Sequence, residues 1–215
     1  MPKLDQNLVF GEGHDKPDLI TFLSTHMADF YARNYRVLVC ELSGNWPVGN
    51  IIDESLHSNA TLQDALDHAH QLVTSGGNAA QTLTLLGNIQ NDLPSAAAVG
   101  SHKEAFGLLV RRALEARLKV LLVDYLTLQT REKLTARVQN YNNHAAPILR
   151  NLREKWLLLT GDEHVNSLQT YNSTGIVELV RPNVNVVGFR YQTINTALTN
   201  HTLQQITDLE NVTST

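Results

Sequence analysis

Residues 7–42, NLVFGEGHDKPDLITFLSTHMADFYARNYRVLVCEL, contain two short apolar runs that flank a longer segment with a different hydrophobic repeat. The runs at 7–10 and 36–42 are rich in branched and aromatic residues, which is typical of buried strands. The apolar side chains between them recur at helical spacing, at Leu19, Phe22, Leu23, Met27 and Phe30. Pro17 suits the first turn of that helix, where a backbone N–H has no partner to lose. The stretch therefore predicts a β-α-β unit, the building block of a parallel sheet.

The same alternation continues along the chain and predicts an α/β fold, with a mainly parallel sheet flanked by helices. Further strands are predicted at 119–126, 155–161, 176–180 and 184–191. The region around 60–117 is predicted to be a helical insertion over one end of the sheet, and another helix follows the third strand. We expect a single domain spanning 1–215, because this length buries a substantial core without disulfides or metal.

The composition excludes several classes of partner. The formal net charge is −4 and the pI is about 6.1, so the chain has no basic footprint for nucleic acid. No stretch approaches the roughly 18 apolar residues that span a bilayer, so we expect no stable membrane insertion. No classical signal peptide is recognisable. We therefore expect a cytoplasmic protein, a secreted effector without such a signal, or a domain of a larger toxin. The lone cysteine, Cys40, is expected to be a small core residue.

Polar groups follow three of the predicted strands, where open parallel sheets place their ligand sites. These groups are Glu12, His14, Asp15, Glu41, Asp162, Glu163 and His164. Such a cluster can hold a divalent metal through His14, Glu41 and His164, with one position left for a water molecule of lowered pKa. Without a metal, an imidazole can activate water directly while a carboxylate orients the ring.

Each of these residues also has a structural explanation. Glu12 and Asp15 are suited to the N-terminus of the following helix, where negative charge is favourable. The histidines can be surface residues of turns. Glu41 is harder to explain in this way, because a carboxylate that follows four apolar residues is costly to bury without a partner.

The turn after the first strand also invites a comparison with phosphate-binding loops. Asp15 replaces the glycine that precedes the lysine of the G-x-x-x-x-G-K-[ST] motif, and Pro17 replaces its Ser or Thr, so only Lys16 remains. The layout still resembles ParA- and MinD-like ATPases, with Asp124 ending an apolar strand as a Walker B aspartate does. A second glycine-spaced stretch, at 44–51, lacks both the Lys and the Ser or Thr. A degenerate nucleotide-binding protein is therefore one alternative.

Three sequence elements lie at the predicted strands, namely GEGHD at the end of the first strand, a glutamate at the end of the second, and LLLTGDEHVN at the fourth. In these three elements the chain resembles the erythromycin esterase, ChaN and TraB/Tiki superfamily. Glu12 and His14 match its G-E-x-H element, and Glu41 matches its second-strand glutamate. Gly161 and His164 match the later G-x-x-H element. The three elements occur in the same order, across residues 7 to about 191.

The resemblance implies a hydrolase that acts on an ester or a peptide, with either a small-molecule or a peptide substrate. It implies that water is activated by Glu12, His14, Glu41 and His164. In the metal-dependent form of the hypothesis the ion is Mn, Co or Zn. The superfamily also includes haem-binding proteins and Tiki-like toxin domains, so a non-catalytic binding domain is a second alternative. This chain has Asn142 and Asn143 where an arginine-bearing motif is common in the superfamily.

Overall fold

The computed structural model describes residues 6–13, 17–44, 60–96, 103–124, 134–167 and 172–190. Within these ranges one five-stranded sheet is formed by β1 (Asn7–Glu12), β2 (Tyr35–Ser43), β3 (Lys119–Asp124), β4 (Lys155–Gly161) and β5 (Val186–Phe189). The strand order is β3-β2-β4-β1-β5, and every pair of neighbours is parallel. The predicted α/β fold with a parallel sheet is confirmed.

The helices flank the sheet as predicted. They are α1 (Asp18–Ala32), α2 (Leu62–Ser75), α3 (Ala79–Ala96), α4 (Lys103–Glu115), α5 (Leu134–Asn151), α6 (Asp162–Val165) and α7 (Ile176–Val180). Three of them, α2 to α4, form the helical insertion between β2 and β3. Within the described ranges, no helix is both long enough and apolar enough to cross a bilayer.

The prediction of a strand at 176–180 is wrong, because this segment forms α7. Its buried residues are Ile176, Val177 and Val180, and that spacing fits one face of a helix rather than the alternation of a strand. A five-residue segment with four apolar residues is too short for periodicity to separate the two structures. The described sheet therefore has five strands rather than six.

Each strand contributes alternate side chains to two separate cores. Leu8, Phe10 and Cys40 face the helices α1 to α4. Val9 and Val39 face α5 to α7. Cys40 is fully buried in the first core, as expected of a small core residue. The alternation determines which side chains reach each face at the carboxyl ends of the strands.

The outer edge of β3 is occupied by a side chain of α2. The Gln63 amide nitrogen donates to the Val120 carbonyl at 2.9 Å, and its oxygen accepts from the Leu122 N–H at 3.0 Å. Two backbone groups of an edge strand are thereby satisfied without a neighbouring strand.

Two helical glycines allow the packing of α3 against α4 to be tested. A Cβ on Gly107 would collide with the Gln90 carbonyl of α3, whereas a Cβ on Gly87 meets nothing within 4 Å. We expect Gly107→Ala to lower the free energy of unfolding by about 1–3 kcal/mol through overpacking. Gly87→Ala, the matched control, should raise it by roughly 0.5–1 kcal/mol. Urea unfolding measures both, and a Gly107→Ala protein as stable as wild type would contradict this packing.

Candidate active site at the carboxyl edge of the sheet

The carboxylate of Glu41, near the end of β2, lies at the centre of a cluster of polar contacts. Its Oε2 accepts hydrogen bonds from Thr160 Oγ1 at 2.6 Å and from the Gly161 N–H at 2.9 Å. Its Oε1 accepts from Arg137 Nη2 at 2.9 Å and lies 3.3 Å from His164 Nε2. The Glu41 side chain is only 16% exposed, so these contacts offset the cost of burying its charge.

The surroundings of Glu41 keep it ionised. Burial, the largest single effect, raises the pKa of this carboxyl, whereas the hydrogen bond and charge of His164 lower it. The hydrogen bonds from Thr160 and the Gly161 N–H act in the same direction. Together they lower the pKa of Glu41 from 4.5 to about 2. At neutral pH Glu41 is therefore a fixed negative charge.

His164, in α6, is 2% exposed and has a polar group facing each ring nitrogen. Asn142 Nδ2 donates to the Thr174 carbonyl at 2.9 Å, which turns Asn142 Oδ1 toward His164 Nδ1 at 2.8 Å. These partners assign a proton to Nδ1. Nε2 then faces Glu41, which can only accept hydrogen bonds. A proton on Nε2 lets His164 donate a hydrogen bond to Glu41 Oε1, so Glu41 stabilises the doubly protonated ring.

Arg137, on α5, links Glu41 to a second carboxylate. Its Nη2 donates to Glu41 at 2.9 Å and to Asp124 Oδ2 at 2.8 Å. Its guanidinium lies 5.1 Å from the centre of the Tyr141 ring, which packs edge-on against His164 at 4.6 Å. One cation therefore contacts two carboxylates, and the Tyr141 ring packs near both the guanidinium and the imidazole.

The α5 residues of this site were not predicted from the sequence. They are Arg137, Tyr141 and Asn142. They lie on the face of α5 that also carries buried apolar residues, namely Val138, Ala145, Ala146 and Leu149. Polar residues that interrupt the apolar face of a helix are the signal that points to them. The sequence prediction considered Asn142 only as a departure from the superfamily.

Two contacts hold α6, and with it His164, against the sheet. A Cβ on Gly11 would lie 2.7 Å from both Asp162 Oδ1 and Val165 Cγ2, so α6 approaches β1 closely only because Gly11 has no side chain. Arg190, directly after β5, donates from its Nε to Asp162 Oδ2 at 3.0 Å. Asp162 is the first residue of α6, as expected for a helix-start charge.

The structure brings Glu41 and His164 together, as the strand-end prediction required. Glu12 ends β1 opposite Gly161, but strand alternation directs its side chain to the face of the sheet that carries Phe10 and Cys40, opposite to that of Glu41. Burial first, and then the charge of Glu12, raise the pKa of the Cys40 thiol. Glu163 Oε1 lies 4.0 Å from His164 Nε2.

His14 and Asp15 lie outside the described residues, and the four-residue site remains a prediction.

The arrangement of the described donors does not suit a divalent metal. Both oxygens of Glu41 already accept hydrogen bonds, one of them from the cation of Arg137, and both nitrogens of His164 face oxygen atoms. In the described part of the chain, no three His, Cys, Asp or Glu side chains are grouped to hold a metal. The metal hypothesis also needs His14, so it remains a prediction.

The nucleotide-binding alternative relied largely on residues outside the described ranges. Lys16 and the stretch 45–51 are among them. Asp124, the residue compared with a Walker B aspartate, accepts a hydrogen bond from Arg137. No feature of the described site favours this alternative over water activation.

No known protein-family model and no curated protein matches the sequence. Solved structures do align with this chain, and one of them shares its fold. RRSP, a MARTX toxin effector domain from Vibrio vulnificus, aligns with a TM-score of 0.53 and 18% identity, over 88% of this chain and 34% of that one. The type III effector HopBA1 aligns at 0.45 and 16% identity, over 75% and 69%. The C-terminal region of Pasteurella multocida toxin aligns at 0.45 and 13%, over 86% and 23%.

These structural neighbours are bacterial toxin and effector proteins. At such low identity, the likeness to RRSP shows the shared fold alone. This chain spans about a third of the RRSP structure's length. The resemblance to the erythromycin esterase, ChaN and TraB/Tiki superfamily is not decided by these neighbours and remains an expectation from the sequence.

The lowered pKa of Glu41 predicts an acid-sensitive contribution to stability. A group with a pKa of about 2 when folded and 4.5 when unfolded stabilises the fold above pH 4.5, and this contribution is lost as the pH falls toward 2. We expect Glu41→Gln to remove this part of the pH dependence and to cost about 3 kcal/mol at pH 7. Urea unfolding between pH 7 and pH 2 measures both effects.

Glu115→Gln is the matched control, because Glu115 pairs with arginines of its own helix and is 27% exposed. We expect the control to keep the acid dependence of the wild type. An unaltered acid dependence in Glu41→Gln would contradict the proposed ionisation.

Proposed function

We propose that this chain is a hydrolase that activates water at the carboxyl edge of its sheet, with His164 as general base and Glu41 as its charge partner. The observation that carries the proposal is the buried contact between these two residues. Asn142 and Arg137 orient them from α5. The substrate class is an ester or a peptide, which rests on the superfamily resemblance.

The proposed reaction begins with neutral His164, whose Nδ1 proton is donated to Asn142. Nε2 takes a proton from a water molecule as the water oxygen bonds to the substrate carbonyl carbon. Glu41 then stabilises the imidazolium. When the tetrahedral intermediate collapses, Nε2 returns the proton to the leaving oxygen or nitrogen and the ester or amide bond breaks. His164 is thereby restored to its neutral form.

Arg137 defines the role of Glu41 in this scheme. A carboxylate that accepts from a guanidinium, a hydroxyl and a backbone N–H is held in place and is poorly nucleophilic. Glu41 is therefore proposed to stabilise charge rather than to attack the substrate. Glu12 and His14 belong to the proposed site by resemblance alone, since strand alternation directs the Glu12 side chain to the opposite face of the sheet from Glu41.

We propose that this reaction needs no metal, because a second cation beside Glu41 would be repelled by Arg137. The predicted Mn, Co or Zn ion is the alternative.

The shared fold of the MARTX effector domain supports a proposed role as a toxin or effector domain. Neither a substrate nor a partner is transferred from RRSP by this comparison. Membership of the erythromycin esterase, ChaN and TraB/Tiki superfamily belongs to the same proposal.

The general-base role predicts the effect of removing the imidazole. We expect His164→Ala and Glu41→Gln each to lower kcat/KM by about 100-fold or more, the usual contribution of a general base. By resemblance, His14→Ala should also abolish activity. The assay uses nitrophenyl esters and a fluorogenic peptide library, and circular dichroism checks the fold.

His144→Ala is the matched control, since His144 is an exposed histidine on α5. This variant should retain the wild-type rate. Full activity in both His164→Ala and His14→Ala would refute the proposed site.

A metal-free mechanism predicts that chelation has no effect. After dialysis against EDTA, kcat/KM for the best substrate should remain within about twofold of its starting value, because no described donor set requires an ion. Loss of activity that is restored by Mn, Co or Zn would instead establish the metal-dependent alternative.

A further inference from the structure

The amino ends of three adjacent strands carry pairs of basic residues, at the edge of the sheet opposite the proposed active site. The pairs flank the starts of β2, β3 and β4, which are neighbours in the sheet. They are Arg33 and Arg36, Arg117 and Lys119, and Arg153 and Lys155. This edge is positive although the chain as a whole has a net charge of −4.

A groove of about 390 Å³ lies beside this edge. Arg36, Arg117, Lys119, Glu154 and His70 line it. With His70 counted as neutral, three cations and one carboxylate leave a formal net charge of +2. Val37 and Leu121 provide apolar surface within the same groove. Its volume falls within the range of small-ligand sites, roughly 300–1,000 Å³.

The cations of the groove are poorly neutralised by the protein. Arg36 donates from Nη1 to two backbone carbonyls at 2.8 Å and from Nη2 to Asn34 Oδ1 at 3.2 Å, and it stacks on the Tyr31 ring at 4.1 Å. These contacts fix its position without cancelling its charge. In the parts of the chain that the structure describes, neither Arg36 nor Arg117 contacts a carboxylate. Lys119 lies 3.5 Å from Asp67, but both side chains are nearly half exposed, so the pairing is weak.

The backbone at Arg117 is unfavourable for an arginine. Arg117 follows α4 with a φ of 67°, and the Leu118 N–H bonds back to the Ala113 carbonyl at 2.9 Å, as in a Schellman ending. The other positive-φ positions of the described residues are occupied by Gly76, Asn34 and Asn172, residue types that tolerate this conformation. The helix ending therefore does not require arginine, whereas the groove uses its side chain.

We propose that this groove binds a phosphate monoester, with Arg117, Arg36 and Lys119 contacting the phosphate and the attached group resting on Val37 and Leu121. A doubly charged phosphate matches the net charge of the groove, and the planar guanidinium presents paired donors to its oxygens. The site lies at the opposite edge from Glu41 and His164. It does not depend on the proposed hydrolytic function.

Phenyl phosphate is the probe, titrated into the full chain at low salt by calorimetry and by NMR of the backbone amides. The wild type should bind one equivalent saturably, with affinity falling as salt is raised. Benzyl alcohol, which has the ring but no charge, should not bind. Stronger binding of phenyl phosphate than of inorganic phosphate identifies a monoester as the ligand. Equal binding of the two identifies the free anion and overturns the proposed role of the apolar surface.

Arg117→Gly separates binding from folding. Glycine relieves the left-handed backbone, so the melting temperature should stay equal or rise, while affinity for phenyl phosphate should fall at least about fivefold. Arg181→Ala, beside α7 at the β5 side of the sheet, is the matched control and should bind as the wild type does.

His164→Ala should also bind phenyl phosphate normally, which keeps this test independent of catalysis. No saturable binding to the wild type, or unchanged affinity in Arg117→Gly, overturns the proposal.

Discussion

A single buried carboxylate, Glu41, joins parts of the chain that are far apart in sequence. Its two oxygens contact the end of β4, the helix α5 and the short helix α6. The two apolar cores hold the layers together, but apolar contacts are not directional and tolerate small shifts. A buried charge does not tolerate such shifts, because the loss of any one hydrogen-bond donor leaves the charge incompletely solvated. Glu41 therefore fixes the positions of α5 and α6 relative to the sheet.

Sequence patterns predicted the sheet well because its strands are short, branched and buried on both faces. They also predicted that Glu41 and His164 would meet, since carboxyl ends of parallel strands share one edge. They did not predict Arg137, Tyr141 and Asn142, because the rotation of a helix about its axis follows from packing rather than from a strand end. The segment 176–180 was predicted wrongly because its apolar composition suits either structure.

The parallel arrangement also concentrates charge. Because all described strands run in one direction, bases placed before strands and acids placed after them accumulate at opposite edges. The carboxyl edge gathers five acids together with Arg137 and Arg190, and the amino edge carries the six basic residues described above together with Glu154. The five acids are Glu12, Glu41, Asp124, Asp162 and Glu163. The domain thus has two chemically distinct ends. One is suited to stabilising a protonated imidazole, and the other to attracting an anion.

The Gln63 side chain has a consequence for association between molecules. Exposed strand edges recruit other chains, and this is a common route to aggregation. The Gln63 amide presents an acceptor and a donor to β3 much as one residue of an additional strand would. It terminates the sheet at that edge at the level of Val120 and Leu122. The Gln63 side chain thereby opposes the pairing of a further strand with β3, and with it the growth of the sheet from one molecule to the next.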